Sequence, residues 1–230
     1  MLVLAVSDEI SHGATNQYRK QPTNGEAMYT VYTIPGSCSS GITVLLEKLQ
    51  LEYSPVKRED VPNYSEIVPT GQVPALKLPD GQIITEGAAI VLYLLEKHNS
   101  PMLPTDLSLK AEFLKWLMFD YATLHPAYGR MFAIQYKVNM GELEKIGILK
   151  QLAPYTSSLW AILDKELETK EFITGNQPTI VDYLASIYSS WGKNFQGIDI
   201  TLGNNVERLI TKVSSLPEFQ AGYRKENIEF

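Results

Sequence analysis

Hydrophobic and polar positions divide the chain into three stretches of different rhythm. Residues 1–27 show no helical or strand period, and Ser11 to Ala27 is polar and rich in turn formers. This stretch is expected to be a poorly ordered extension, or to precede a natural start at Met28, with His12 solvated and without a role. From Tyr29 the pattern becomes regular. Tyr29 to Thr33 alternates as a short strand does, and Ile42, Leu45, Leu46 and Leu49 recur at the spacing of an amphipathic helix. Tyr53 to Val56 predicts a second strand, placed at an edge by Pro55. Lys57 to Thr70 is polar and irregular, punctuated by Pro62 and Pro69. Two alternating runs, Gly71 to Leu78 and Gln82 to Thr85, then flank Pro79-Asp80-Gly81 and predict a β-hairpin. Glu86 to Lys97 reads as a helix, and His98 at its end complements the helix dipole. A β-α-β half followed by a β-β-α half is the thioredoxin-like arrangement, here over residues 28–98.

Residues 99–107, with Pro101 and Pro104, predict a linker. Beyond it strand signal almost vanishes, so residues 108–230 are expected to be all helical. Asp106 or Ser108 can cap a helix carrying Phe113, Leu114, Trp116, Leu117, Tyr121 and Leu124. His125-Pro126 should break or kink it, because Pro126 cannot donate to the carbonyl four residues back. Ile146 to Leu167 predicts another helix. Thr179-Ile180-Val181-Asp182 fits a capping box in which the threonine accepts from the N3 amide and Asp182 reaches back to the cap. Tyr183 to Trp191 is the helix it starts, and Val206 to Leu216 the expected last one. The fold class is therefore an α+β N-terminal domain followed by an all-α C-terminal domain.

Composition narrows the function. The chain has 230 residues, 44% of them hydrophobic and 20% charged, as in ordinary globular proteins with room for one large or two modest domains. A net charge of −6 argues against nucleic-acid and anionic-membrane partners, which need a basic surface. No apolar run approaches the roughly 20 residues of a membrane span. Met1 to Val6 is too short for a signal-peptide core and has no basic flank, so a reducing, cytoplasmic compartment is expected. The single cysteine excludes an intrachain disulfide, a cysteine zinc cluster and a two-cysteine redox cycle. With three scattered histidines it offers no ligand spacing, and no metal is expected.

That cysteine is the candidate reactive group. Pro35-Gly36 supplies a turn between the first strand and the first helix, which places Cys38 at or just before a helix N-terminus. Unpaired N–H groups and the positive dipole end there favour an anion, so its thiol pKa is expected to be lowered. The other reading is a small buried hydrophobe. His125, on a helix rich in aromatic residues, reads as a half-buried packing residue.

Four stretches in this order resemble the glutathione transferase family over residues 28–219. Gly71-Gln72-Val73-Pro74-Ala75-Leu76 is similar to its glutathione-binding loop, where the bond before the proline is cis. Thr85-Glu86-Gly87-Ala88-Ala89-Ile90 resembles the acidic turn that holds the γ-glutamyl end. Phe172 to Asp182 resembles the helical domain's capping signature. Pro35-Gly36-Ser37-Cys38-Ser39 resembles the cysteine motif of the bacterial beta class. The resemblance implies glutathione as co-substrate, held by Gln72, Val73, Pro74, Glu86 and Gly87, with Cys38 and His125 as catalytic residues. His125 lies nine positions after Trp116, the spacing of beta-class relatives. Departures are glycine at position 87, where many members carry serine, Pro126 in place of a basic residue, and Met118 in place of asparagine. The implied partner is a small electrophile, peroxide or disulfide, and the implied assembly a homodimer joining one subunit's small domain to the other's helices. Cys38 would form a mixed disulfide with glutathione or support its thiolate. Conjugation is expected to be weak beside thiol transfer or peroxide reduction. Trp191 is expected near the electrophile pocket or in the core. A scaffold protein that kept the fold and lost the chemistry is the alternative, and glutathione-dependent dehalogenation or isomerisation would use the same site.

Overall fold

The computed structural model describes residues 28–230, so the expectations for residues 1–27, His12 among them, lie outside the described residues. The small domain is a four-stranded sheet ordered β2-β1-β3-β4, with β1 Tyr29–Thr33, β2 Tyr53–Lys57, β3 Ala75–Lys77 and β4 Ile83–Thr85. β1 runs parallel to β2, with Tyr29 opposite Tyr53, and antiparallel to β3, with Val31 opposite Leu76. β2 is an edge strand, which is where Pro55 can lack an N–H without breaking a ladder. Helix α1, Ser39–Lys48, crosses back from β1 and is buried from Ser39 to Leu46. The stretch read as irregular holds a 3₁₀ turn, Arg58–Asp60, and a one-turn helix α2, Tyr64–Ile67. Helix α3, Gly87–Lys97, closes the domain. His98 caps its C-terminus with Nε2 3.0 Å from Tyr29 Oη, so the ring pairs with a phenol, while burial lowers its pKa away from the charged form.

The helical domain begins at α4, Leu107–Phe119, where Asp106 Oδ1 accepts from the N–H groups of Ser108 and Leu109 at 2.9 and 3.0 Å. His125-Pro126 does not end the helix. A five-residue π-helical turn, Asp120–Leu124, leads into α5, His125–Tyr136, with Pro126 in its first turn. The helix runs on through the π turn, where the His125 N–H reaches back five residues to the Asp120 carbonyl, and this widened turn is where Pro126, which has no N–H to give, is accommodated. Helix α6, Glu142–Glu166, starts four residues before the expected Ile146; Glu144 reaches back to the Gly141 N–H at 3.0 Å and fixes that start. Helix α7, Ile180–Ser189, is the buried centre of the domain and continues into a 3₁₀ turn, Ser190–Asn194. Its start is the expected capping box: Asp182 accepts from the Thr179 N–H at 2.7 Å, and the threonine hydroxyl also donates to Asp182 at 3.1 Å. Helix α8, Asn204–Ser214, is not the last: α9, Pro217–Lys225, follows and packs along α1. A Cβ on Gly222 of α9 would sit 2.9 Å from Val44 Cγ2, so glycine is what lets the two backbones approach. Helix α1 is thereby enclosed by the sheet, α7 and α9, which places its N-terminal end between the two domains.

Candidate active site

The start of α1, the loop before β3, the start of α3 and the π turn converge on one cleft of ≈ 680 Å³. Cys38, Gln72, Val73, Pro74, Glu86, Gly87 and His125 all line it. Cys38 is the N-cap residue of α1. Its Sγ lies 3.6 Å from the Val73 carbonyl and donates to it, and the Val73–Pro74 bond is cis. The Gln72 carbonyl beside it is fixed by the Tyr64 hydroxyl at 2.9 Å. Glu86 is exposed, and its φ of +67° is a conformation that side-chain-bearing residues rarely adopt. Such outliers cluster at ligand sites, where the surrounding fold holds them. Gly87 and Ala88 of α3 form the adjoining wall, with α3's first N–H groups lacking intrahelical acceptors.

The expected acidic thiol is not found. Cys38 is only 6% exposed, and burial pushes its thiol up to about 12, while its own N–H, the Ser37 hydroxyl and the Ser39 N–H pull weakly the other way. The local donors are already engaged: Ser39 N–H binds Ser37 Oγ at 3.2 Å and Ser40 N–H binds the Ser37 carbonyl at 3.0 Å. A supporting imidazolium is missing too. Burial lowers the His125 pKa, and its ring packs edge-on against Tyr188 and Trp191 at centroid distances of 5.7 and 5.4 Å. Among the described residues it makes no hydrogen bond or ion pair. His125 thus reaches the cleft as a neutral aromatic wall. Trp191, expected near the pocket or in the core, is buried and donates from Nε1 to the Gly36 carbonyl at 2.8 Å, bracing the turn before Cys38.

Three further cleft residues escaped the sequence reading. Arg58 and Lys137 are exposed cations at its rim, with no ion pair among the described residues. Arg58 sits in a stretch with no periodic signal. Tyr121 could have been found, since it lies one helical turn before His125 on the same face. Its hydroxyl is buried with no partner among the described residues, and a Cβ on Gly87 would collide with its ring.

A family model described as "Glutathione S-transferase, N-terminal domain" matches residues 36–97. Glutathione S-transferase Y-2 of Pichia kudriavzevii is 32% identical over 82% of this chain and 95% of its own length. The uncharacterised GST-like protein YncG of Escherichia coli is 25% identical over 87% of this chain and 100% of its own. Among solved structures, a glutathione S-transferase from Xylella fastidiosa superposes with a TM-score of 0.76 at 21% identity, covering 87% and 100% of the two chains. A sphingomonad glutathione S-transferase complexed with glutathione gives 0.72 at 23%, with the same coverage. The fold is that of glutathione transferases, a thioredoxin-like domain followed by a helical one. The chain belongs to the glutathione S-transferase family.

Proposed function

We propose that this protein is a glutathione-dependent transferase in which the Cys38 thiol supports the thiolate of bound glutathione. One observation carries the reading: the buried, protonated Cys38 points a hydrogen-bond donor at the Val73 carbonyl, in the wall where an extended peptide could pair. The charges of the cleft suit the tripeptide. Glu86 offers a carboxylate to its ammonium group, the first N–H groups of α3 suit the γ-glutamyl carboxylate, and Arg58 suits the glycyl carboxylate. Glutathione brings the sulfur nucleophile; as its backbone pairs with the Val73 carbonyl, the single Cys38 S–H turns from that carbonyl to the glutathione thiolate and stabilises its charge. Phe132, His125 and Lys137 bound the remaining space, where a small electrophile would enter. The single thiol fits a reducing, cytoplasmic setting. Exposed Met118 and Ile162 on α4 and α6 support a homodimer.

A second reading keeps Cys38 as the nucleophile, as in the bacterial beta class. A thiol is a weak donor, while the better donors around it, Ser37, Ser39 and Ser40, are committed to loop hydrogen bonds. In that chemistry the Cys38 thiolate attacks a mixed disulfide of glutathione, a bond forms from Cys38 to the glutathione sulfur, and the other sulfur leaves as a thiolate. A second glutathione thiolate then attacks, releasing oxidised glutathione and regenerating Cys38.

Cys38→Ser separates the readings. If Cys38 is a donor, the serine hydroxyl replaces it: conjugation of an aromatic electrophile stays within about tenfold, and intact mass shows no glutathione adduct on the wild type after exposure to oxidised glutathione. Loss of disulfide exchange in the variant with glutathione binding retained, together with a wild-type adduct, establishes the nucleophile instead. Failure of the wild type to bind glutathione leaves the scaffold.

A further inference from the structure

The two walls of the cleft differ in chemistry. The small-domain wall offers backbone groups, the Glu86 carboxylate and Arg58, whereas the helical-domain wall consists of Tyr121, His125, Phe132 and Lys137. That second wall is three aromatic rings and one cation, with no carboxylate among its lining residues. His125 and Phe132 lie two turns apart on α5, so their rings project from one face. Gly129 between them adds no side chain, and a Cβ there would have open space around it. Phe132 is half-buried, its ring held by Trp191 and Phe195 at centroid distances of 5.6 and 5.0 Å. Lys137 is the C-cap residue of α5 and is exposed, with no ion pair among the described residues. A cation at a helix end often serves the free carbonyls there. Here Lys145 does so, donating from Nζ to the Gln135 carbonyl at 2.9 Å, which leaves the Lys137 ammonium group for the cleft.

We propose that Lys137 selects the second substrate: an elongated aromatic electrophile that carries a carboxylate at the end remote from its reactive carbon. The inference rests on the glutathione-dependent reading above. The ring of the acceptor lies against His125 and Phe132, and its acid pairs with the Lys137 ammonium group. Helix geometry sets the length. His125 and Lys137 are about 18 Å apart along α5, and the lysine stem covers about 6 Å of that. The reactive carbon and the acid are therefore about 10 Å apart, the length of an aryl group with a substituent at each end. With a net charge of −6 the chain as a whole repels anions, so an unpaired cation inside the cleft is what favours an acidic acceptor. In an aryl vinyl ketone of this length the glutathione thiolate adds to the terminal alkene carbon and forms the S–C bond. The resulting enolate takes a proton from water at carbon; no group leaves and nothing is oxidised.

The test compares two acceptors that differ only in charge: an aryl vinyl ketone with a carboxymethoxy group para to the ketone, and its methyl ester. Each is conjugated to glutathione by the full chain, with the uncatalysed rate subtracted. The wild type should favour the acid by about three- to tenfold in kcat/KM, the range for one charge-assisted bond at a half-exposed site. In Lys137→Met that ratio should fall to near one, and in Lys137→Arg it should persist. A wild type without the preference overturns the proposal, as does a Lys137→Met variant that keeps it. Binding is read separately with the saturated ketones, which cannot react. Beside Phe132 they should quench tryptophan fluorescence, because Trp191 packs against that ring. The same ratio of acid to ester is expected in their Kd values and should vanish in Lys137→Met; equal Kd values in the wild type overturn the proposal. A wild type that fails to bind glutathione sinks the function proposed above, while the quenching titration still decides the role of Lys137.

Discussion

A thiol at a helix start is pulled two ways, and Cys38 shows which pull is stronger. The helix end favours a charged group by about 0.3–1 kcal/mol, up to about 2 in partly buried settings. Desolvation of a fully enclosed group moves a pKa by up to about 3–5 units at about 1.4 kcal/mol each. The position of Cys38 at the helix start was legible from the strand, Pro35-Gly36 and the amphipathic stripe. Its enclosure was not, because the groups around the sulfur come from distant stretches: the Val73 carbonyl accepts its S–H, and Tyr121 and Tyr188 stand close enough to feel its charge. Gly87 makes the same point in reverse. In the sequence it reads as a lost hydroxyl. In the structure it makes room: the Tyr121 ring stands where a side chain at position 87 would go. Gly87→Ala should therefore destabilise the fold by about 1–3 kcal/mol, the usual range for overpacking. Urea denaturation checks this. A stability equal to wild type would mean that the Tyr121 ring moves aside freely.

At the level of elements, the best-read features were those whose cause is local. The hairpin around Pro79-Asp80-Gly81, the Asp106 cap and the Thr179–Asp182 box each depend on a few adjacent residues, and each is present. Asp182 does more than its sequence neighbours suggest, since it also accepts from the Ile173 N–H at 2.8 Å and ties the preceding loop to α7. Asp182→Ala would leave two buried N–H groups without an acceptor, each costing about 1–3 kcal/mol. Thermal unfolding should show a loss of about 2–5 kcal/mol, and a loss below 1 kcal/mol would mean that water replaces the carboxylate. Other elements were misread for identifiable reasons. The π turn carries no pattern separable from α-helix over five residues. Helix α9 buries only Phe219, Gly222 and Tyr223, and its mid-helix glycine lowers intrinsic propensity. Its helical state is set by contact with α1, which no local window contains.

For the whole molecule, that contact decides how independent the two domains are. Helix α1 belongs to the small domain by sequence, yet α7 and α9 cover it from the other side. Ser40–Glu226, Trp191–Gly36 and Lys48–Glu218 cross the same boundary. Removing the helical domain would expose much of a helix that is buried along eight of its ten residues. The small domain alone should therefore be too weak to persist once the helices melt, and the two halves should unfold together. The chain supplies its own probes. All three tryptophans, Trp116, Trp160 and Trp191, lie in the helical domain, and the single cysteine lies in the small one. In a urea titration, tryptophan fluorescence and the rate of Cys38 alkylation should give coincident midpoints. An alkylation midpoint below the fluorescence midpoint would show the small domain opening first. In that case the enclosure of Cys38 would be a local and reversible property, and its thiol would be reached by opening of the cleft while the helical domain stays folded.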